Sequence, residues 1–201
     1  MMRVRDTVRR VAAVLLLAWA VQGSVQAEEP TSASSPDAQV NDLTVAYTLS
    51  YRAGQIDQAV KTAEDALSHA ERVFGPEDER VAQVLNDLGY LYQAQHTFDR
   101  AEACHHRALM IRERVFNKDG PAVVQSLDNL AKVYQEEGRS EEAGPLYERA
   151  LAIVERHFSP DDPRLSDILD YYARALRNCG KAKAAEDVEA RIKARHSSSA
   201  H

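Results

Sequence analysis

The apolar residues of this chain repeat at a fixed spacing of 42 residues. The segment that starts at Leu85, LNDLGYLYQAQHTFDRAEACHHRA, returns from Leu127 as LDNLAKVYQEEGRSEEAGPLYERA. Columns of leucine, alanine and phenylalanine keep the same step, and this regularity is typical of a protein built from stacked repeats. The columns are Leu43, Leu85, Leu127 and Leu169; Ala59, Ala101, Ala143 and Ala185; and Phe74, Phe116 and Phe158.

Each repeat contains two segments with helical spacing. In the second repeat Leu85, Leu88 and Tyr92 lie at i, i+3 and i+7, which places them on one face of a helix. A second such segment follows, and small residues in the columns of Gly89 and Ala101 allow two helices to approach closely. The pattern predicts an all-α solenoid of about four antiparallel helical hairpins.

Turn and start signals separate the predicted helices. Asp162–Pro163 pairs an N-cap side chain with proline at the first helical position, and Asp78–Glu79 and Gly120–Pro121 are weaker versions of this start. Between the two helices of each repeat, a tight turn requires a positive φ, which glycine adopts readily. We expect His96 to adopt it in the second repeat, because histidine tolerates this region better than most residues. The column is Gly54, His96, Gly138 and Gly180.

These repeats resemble the tetratricopeptide repeat. The period of 42, where about 34 is usual, and the lengthened second helix are similar to the kinesin light chain subclass. Asp78, Gly120 and Asp162 stand where that subclass has a link histidine. The resemblance covers about residues 40–196 and implies a concave groove that binds a protein or peptide. The matching residues are Leu85, Leu88, Gly89, Tyr92, Ala101 and Ala108, and then Leu127, Leu130, Ala131, Tyr134, Ala143, Tyr147 and Ala150.

The first 27 residues have the features of a bacterial-type secretory signal peptide. A basic segment with four arginines precedes the apolar run Val11–Val21, which is too short to span a membrane comfortably. Val25 and Ala27 occupy the positions that a signal peptidase reads. We expect cleavage after Ala27, a periplasmic or secreted product, and no membrane span in the mature chain.

The rest of the chain divides into three parts. Residues 28–39 are small, polar and proline-bearing, which predicts a disordered linker. Residues 40–196 form the predicted repeat domain, and residues 197–201 are expected to be a frayed tail. The four repeats cover about residues 40–78, 79–120, 121–162 and 163–196.

The charge balance narrows the classes of partner. The chain has 25 Lys and Arg and 31 Asp and Glu residues, for a net charge of −6. Removal of the leader takes away four arginines and one aspartate, so the remaining chain is more acidic. Such a surface disfavours nucleic acid, which binds basic patches, and gives no reason to expect an anionic membrane as partner.

The sequence offers no support for catalysis, a cofactor or a metal. It contains no glycine-rich phosphate loop, nucleophile elbow or HExxH motif. On a helix the adjacent side chains of Cys104, His105 and His106 point about 100° apart and cannot close on one ion. His105 shares a column with Tyr147, so we expect a core histidine. We expect the sulfur atoms of Cys104 and Cys179 on the order of 20 Å apart, too far for an internal disulfide. We therefore predict a non-catalytic protein.

The resemblance implies that partner-binding positions lie on the first helix of each repeat. The 42-residue register identifies the residues that occupy these positions in this chain. The Asn-Asn pair of kinesin light chain repeats corresponds to Asn86–Asp87 and Asp128–Asn129, whose amides offer both donor and acceptor to a peptide backbone. We expect Lys132, Arg174 and Arg177 to make one end of the groove basic and the other end to be acidic. The predicted partner-binding residues are Asn86, Asp87, Tyr90, Asp128, Asn129, Lys132, Asp170, Arg174 and Arg177.

The implied function is a scaffold or adaptor of the bacterial cell envelope that holds a partner protein or peptide. Two alternatives remain open. The first repeat conforms poorly, with Tyr47 and Ser50 at repeat positions, and a second copy can complete it in a self-assembling homo-oligomer. The other alternative is an accessory subunit of an envelope enzyme that uses Cys104 or the histidines.

Overall fold

The regular structure of this protein is a series of helical hairpins joined end to end. The computed structural model describes residues 35–159 and 162–198, and all regular structure among them is helical. The predicted all-α solenoid of four hairpins is confirmed. The helices are α1 (Pro36–Arg52), α2 (Ile56–Phe74), α3 (Glu79–Ala94), α4 (Phe98–Phe116), α5 (Val124–Glu136), α6 (Ser140–His157), α7 (Pro163–Asn178) and α8 (Ala182–Ser198), with a short 3-10 helix at Pro121–Val123.

Two helix boundaries differ from the prediction. Helix α1 begins at Pro36, so residues 36–39 of the predicted linker are helical. Proline has no backbone N–H, and a helix start is the one place where that donor is not needed. Helix α8 continues to Ser198, beyond the predicted end of the domain. The predicted leader, residues 1–27, lies outside the described residues.

Small residues allow the two helices of each hairpin to pack closely. Ala101 and the other residues of the alanine column are 0% exposed. A Cβ atom at Gly89 on α3 would lie 2.5 Å from the ring of His105 on α4, so glycine leaves the space that this ring occupies. One repeat later, Ala131 and Tyr147 occupy the same two columns, and both are fully buried. The columns read from the sequence are therefore the helix–helix contacts.

Ion pairs between successive second helices also follow the repeat. Each joins an arginine of one hairpin to a glutamate of the preceding hairpin, and each side chain is partly exposed. Such pairs contribute at most about 1 kcal/mol each, so they set the register of the stack more than its stability. The pairs are Arg107–Glu71, Arg149–Glu113 and Arg191–Glu155.

The turns within the hairpins have the predicted backbone conformation. Gly54, Gly138 and Gly180 have φ values of 75°, 77° and 70°, and His96 has a φ of 57°. His96 therefore adopts the left-handed conformation that the glycine column predicts. Its ring lies edge-on to Phe98, with the two centroids 5.9 Å apart.

The helix starts follow the predicted order only in part, because Asp78 caps its helix as well as Asp162 does. Asp78 and Asp162 each accept a hydrogen bond from a backbone N–H two residues on, at 2.9 and 3.0 Å. Gly120 has no capping side chain, and α5 begins only at Val124. A Cβ atom at Gly120 would lie 2.6 Å from the carbonyl oxygen of Phe116, so the local backbone excludes a capping residue there.

Replacing His96 with glycine should raise the free energy of unfolding by about 1 kcal/mol, because the left-handed conformation costs a residue with a Cβ atom roughly that much. Urea denaturation followed by circular dichroism measures the change. The matched control, Gly138→Ala, forces a Cβ atom into the same conformation and should lower stability by about 1 kcal/mol. A His96→Gly variant less stable than the wild type would contradict this account.

Candidate functional site

The first helices of the hairpins lie on the inner side of the solenoid. Helices α3, α5 and α7 contact one another in succession, whereas the second helices α4 and α6 are joined through the long side chains of Glu113 and Arg149. The closer spacing places the first helices on the concave side. We call the surface formed by the exposed side chains of α1, α3, α5 and α7 the inner groove.

Asp87 lines a tyrosine-rich cavity between α1 and α3. The hydroxyl of Tyr47 donates to Asp87 Oδ2 at 2.6 Å, and the side-chain amide of Gln83 donates to Oδ1 at 3.2 Å. Burial raises the pKa of Asp87, although these hydrogen bonds and the charge of Arg112 oppose the shift. The cavity has a volume of about 360 Å³ and is lined by Tyr47, Thr48, Tyr51, Asp87, Tyr90 and Leu91.

Asn86 does not line the inner groove, contrary to the prediction. It is 0% exposed, because α3 turns this position toward polar partners within the stack. Its side-chain amide lies between Nδ1 of His105, at 3.3 Å, and the guanidinium of Arg112. Both hydrogen bonds form when the amide oxygen faces Arg112 and the amide nitrogen faces His105. His105 Nε2 then donates to Gln93 Oε1 at 3.1 Å, and Nδ1 accepts from the amide of Asn86. His105 is the core residue that its column predicts.

Arg112 on α4 is 3% exposed and connects three helices. Its Nε donates to Glu79 Oε1 at 3.2 Å, and its Nη2 donates to Gln83 Oε1 at 3.0 Å. Its Nη1 donates to Gln125 Oε1 at 3.2 Å and to Ser126 Oγ at 3.0 Å. One guanidinium thus ties α4 to the first helices of its own hairpin and of the next.

Asn129 is also buried, at 1% exposure, so this groove position is a second correction. Its Oδ1 accepts a hydrogen bond from the hydroxyl of Tyr90, because α3 and α5 lie side by side. Tyr90 keeps 43% of its surface exposed and remains part of the inner groove, as predicted. Tyr90 therefore both joins two repeats and presents an aromatic ring.

Lys132 is less available to a partner than the sequence implies. Its Nζ lies 2.7 Å from Asp128 Oδ2 and 4.4 Å from the centroid of the Tyr171 ring. Burial raises the pKa of Asp128, and the contact with Lys132 opposes that shift. The charges of these two predicted groove residues thus largely neutralise each other.

Arg177 is engaged within its own hairpin and does not make the groove basic. Its Nε and Nη2 donate to Glu189 on α8 at 2.6 and 2.7 Å. In the preceding repeat, the residues equivalent to Arg177 and Glu189 are Gln135 and Tyr147, and the Tyr147 hydroxyl donates to Gln135 Oε1. Arg174 is exposed and lies 5.7 Å from the Tyr171 ring. Of the three expected basic residues, only Arg174 has no ion pair within the described residues.

Asp170 is exposed on α7, next to Tyr171, in the position that the register predicts. The predicted set therefore divides in two. Two members are buried and the others border the inner groove, with several of them already paired. The members that border the groove are Asp87, Tyr90, Asp128, Lys132, Asp170, Arg174 and Arg177.

The sequence analysis missed Arg112, Thr48 and Tyr51. Arg112 is the one charged residue in a column with Ala70 and Val154. A single charge in an otherwise apolar column indicates a buried polar contact. Thr48 and Tyr51 lie in the first repeat, whose poor match to the pattern hid their place in the groove.

The described residues also include two cysteines and side chains of the metal-ligating types. Burial raises the pKa of the Cys104 thiol to about 11, and Cys104 and Cys179 are both free. Residues 35–159 and 162–198 contain no group of three or more histidine, cysteine, aspartate or glutamate side chains placed to hold a metal ion. Within the same ranges, no helix combines the length and apolar character needed to cross a membrane.

A family model described as tetratricopeptide repeat matches residues 40–97, 81–156 and 125–192. The chain belongs to the tetratricopeptide repeat family. Its fold is that of a protein–protein interaction scaffold, and tetratricopeptide repeat proteins bind protein partners and are generally non-catalytic.

Solved structures show the same repeat architecture. BtubC (BKLC) from P. vanneervenii is 25% identical, with a TM-score of 0.75 over 81% of this chain and 65% of that chain. A kinesin light chain-like protein with nearly identical repeats from Podosopora anserina is 19% identical, with a TM-score of 0.71 over 97% of this chain and 90% of that chain. The chain thus spans about two thirds of BtubC, and the second likeness shows the fold alone. No curated protein matches the chain.

The buried histidine of this tetratricopeptide repeat predicts a pH dependence. Burial lowers the pKa of His105 to about 4, whereas an unfolded histidine has a pKa of about 6.5. The unfolded chain therefore binds one more proton between these values, and the free energy of unfolding should fall by roughly 2–3 kcal/mol from pH 7 to pH 4.5. Urea denaturation at both pH values measures this loss. The His105→Gln variant cannot titrate and should lose less, and equal losses would contradict the assignment.

Proposed function

We propose that this protein is a non-catalytic scaffold of the bacterial cell envelope that holds a segment of a partner protein in its inner groove. The observation that carries the proposal is the cavity between α1 and α3. There Tyr51 and Tyr90 are about half exposed beside the carboxylate of Asp87. Tyrosine presents a large, rigid contact area with a polar end, which suits the recognition of a protein surface.

The polar residues next to this cavity support the same role. Gln83 and Gln125 are exposed at equivalent positions of α3 and α5. Gln83 Nε2 donates to Asp87, and the Oε1 atoms of both glutamines accept from Arg112. Among the described residues, Nε2 of Gln125 is therefore the amide donor left for an extended backbone that passes along the inner groove. Arg174 adds one unpaired positive charge at the far end, among the described residues. A partner segment that lies across all of these groups meets aromatic, amide and charged contacts in turn.

A variant pair tests whether the groove is the working surface. The bait is the chain from Glu28, incubated with a bacterial envelope extract, beside a variant with Tyr51 and Arg174 changed to alanine. The control variant carries Met110→Ala and Val115→Ala, two exposed apolar residues on the second helix α4. All three should have similar melting temperatures because the altered side chains are exposed.

We expect the wild type and the α4 control to retain the same partner and the groove variant to lose most of it. Loss of each aromatic or arginine contact at an interface costs roughly 1–2 kcal/mol, or about tenfold in affinity. A partner that the groove variant retains as well as the wild type would move the site elsewhere on the stack.

The location in the envelope rests on the leader sequence of residues 1–27. Expression of the full chain in a bacterial host should yield a periplasmic protein whose N-terminus is Glu28. An Ala27→Lys variant should remain uncleaved, because signal peptidase requires a small residue there. Intact mass spectrometry of the periplasmic and cytoplasmic fractions checks both statements, and an uncleaved wild-type chain in the cytoplasm would refute the location.

Self-association stays a prediction. Val45 and Leu49 on α1 are 58% and 59% exposed at the N-terminal end of the described stack. This apolar face is the surface that a second copy would cover in the alternative function.

A further inference from the structure

The guanidinium of Arg112 fills a polar slot between the first helices of the second and third repeats. It is almost completely shielded from solvent, and its donors reach residues on both α3 and α5. A planar guanidinium has five donors, and this slot supplies acceptors around its edge. The residues that contact it are Glu79, Gln83, Asn86, Gln125 and Ser126.

The equivalent slot one repeat later is open. Arg112 is replaced there by Val154, whose short apolar side chain is 0% exposed and cannot reach the same place. A cavity of about 390 Å³ lies between α5 and α7, within the range of roughly 300–1,000 Å³ that is typical of ligand pockets. All five positions that contact the guanidinium of Arg112, moved by 42 residues, line this cavity. They are Pro121, Gln125, Asp128, Asp167 and Ile168, and the remaining lining residues are Ala122, Val124 and Arg164.

The open slot is lined by two carboxylates, Asp128 and Asp167, whereas among the described residues Glu79 is the one carboxylate that contacts Arg112 in the filled slot. Asp128 Oδ2 is bound by Lys132, but its Oδ1 is shielded from solvent and accepts no hydrogen bond within the described residues. Asp167 has no ion pair in the described parts of the chain, and its charge adds to the upward shift that burial imposes on the pKa of Asp128. The cation at the rim, Arg164, is held by Asp162 at 2.7 Å. The slot therefore has unused acceptors on Asp128 and Asp167, and the two cations next to it, Lys132 and Arg164, are already paired.

We propose that this cavity between α5 and α7 binds the guanidinium group of an arginine side chain supplied by the partner protein. The internal Arg112 shows the arrangement in which such a group is held by this repeat. Arginine suits the slot better than lysine, because its flat group can donate to the carboxylates of Asp128 and Asp167 at once. The carbonyl oxygen of Gln125, which accepts one hydrogen bond from Arg112, has a second lone pair on the same side. The proposal rests on the proposed function for its partner and specifies one residue type that the partner presents.

A titration with a small arginine derivative tests the slot without the partner. The probe is Nα-acetyl-arginine N-methylamide, and its control is the citrulline derivative, which has the same shape but no charge. Binding is followed by the ¹H–¹⁵N chemical shifts of the Gln125 side-chain amide in the chain from Glu28. We expect a saturable shift with arginine and an affinity at least about tenfold lower for citrulline. Equal responses to the two probes, or no saturable response to arginine, would overturn the proposal.

Two variants locate the binding. Asp167→Asn removes an exposed charge of the slot and should weaken arginine binding about tenfold, whereas Asp187→Asn on α8 should leave it unchanged. Val154→Arg places an internal guanidinium in the slot, as Arg112 does in the preceding repeat, and should abolish binding. If Val154→Arg does not fold, as judged by circular dichroism, the Asp167→Asn result decides alone. Wild-type affinity in Asp167→Asn, or in a folded Val154→Arg protein, would overturn the assignment.

Failure of the inference is distinct from failure of the proposed function. A partner captured through the inner groove, together with no arginine binding, overturns the inference only. Arginine binding with no partner held by the groove overturns the proposed function only.

Discussion

A helical hairpin of this chain can bury its apolar face only against the neighbouring hairpin. Within each hairpin, the contact between the two helices depends on columns of small residues, because a Cβ atom at Gly89 on α3 would lie 2.5 Å from the ring of His105 on α4. Turns and ion pairs then repeat with the same period. The positive φ at His96 keeps the turn short, and the Arg–Glu pairs between second helices keep each hairpin in register with the last. Stability in such a stack is a sum over neighbouring contacts.

The junction between the second and third repeats differs from the others. The apolar core falls into two clusters, one mainly in α1–α4 and the other mainly in α5–α8. Buried polar residues lie where these clusters meet, and Arg112 is the most connected of them. Burial of an arginine is unfavourable unless its donors are satisfied, and the surrounding acceptors satisfy this one. Hydrogen bonds depend on direction more than apolar contacts do. The hydrogen bonds of Arg112 therefore fix the orientation of the second repeat relative to the third.

Contacts between and within repeats also decide how much of the inner groove is left for a partner. Between repeats, Tyr47 donates to Asp87 and Tyr90 donates to Asn129. Within the fourth repeat, Arg177 is paired with Glu189. What remains open are two cavities of different chemistry, one lined by tyrosines and one by carboxylates and an amide. They lie on either side of the Arg112 junction. A partner segment that occupies both meets a rigid spacing between them.

The sequence by itself determined the helices, the 42-residue register, the small-residue contacts and the strained turn at His96. These are properties of local spacing and backbone conformation, which a single chain shows directly. Only the tertiary structure decided that Asn86 and Asn129 are buried, because equivalent positions of a repeat face different neighbours. It also decided that Arg177 is paired within its hairpin and that Val154 leaves open a slot that Arg112 fills. Those outcomes depend on which side chains from separate helices meet in space, and the spacing along the sequence does not contain that information.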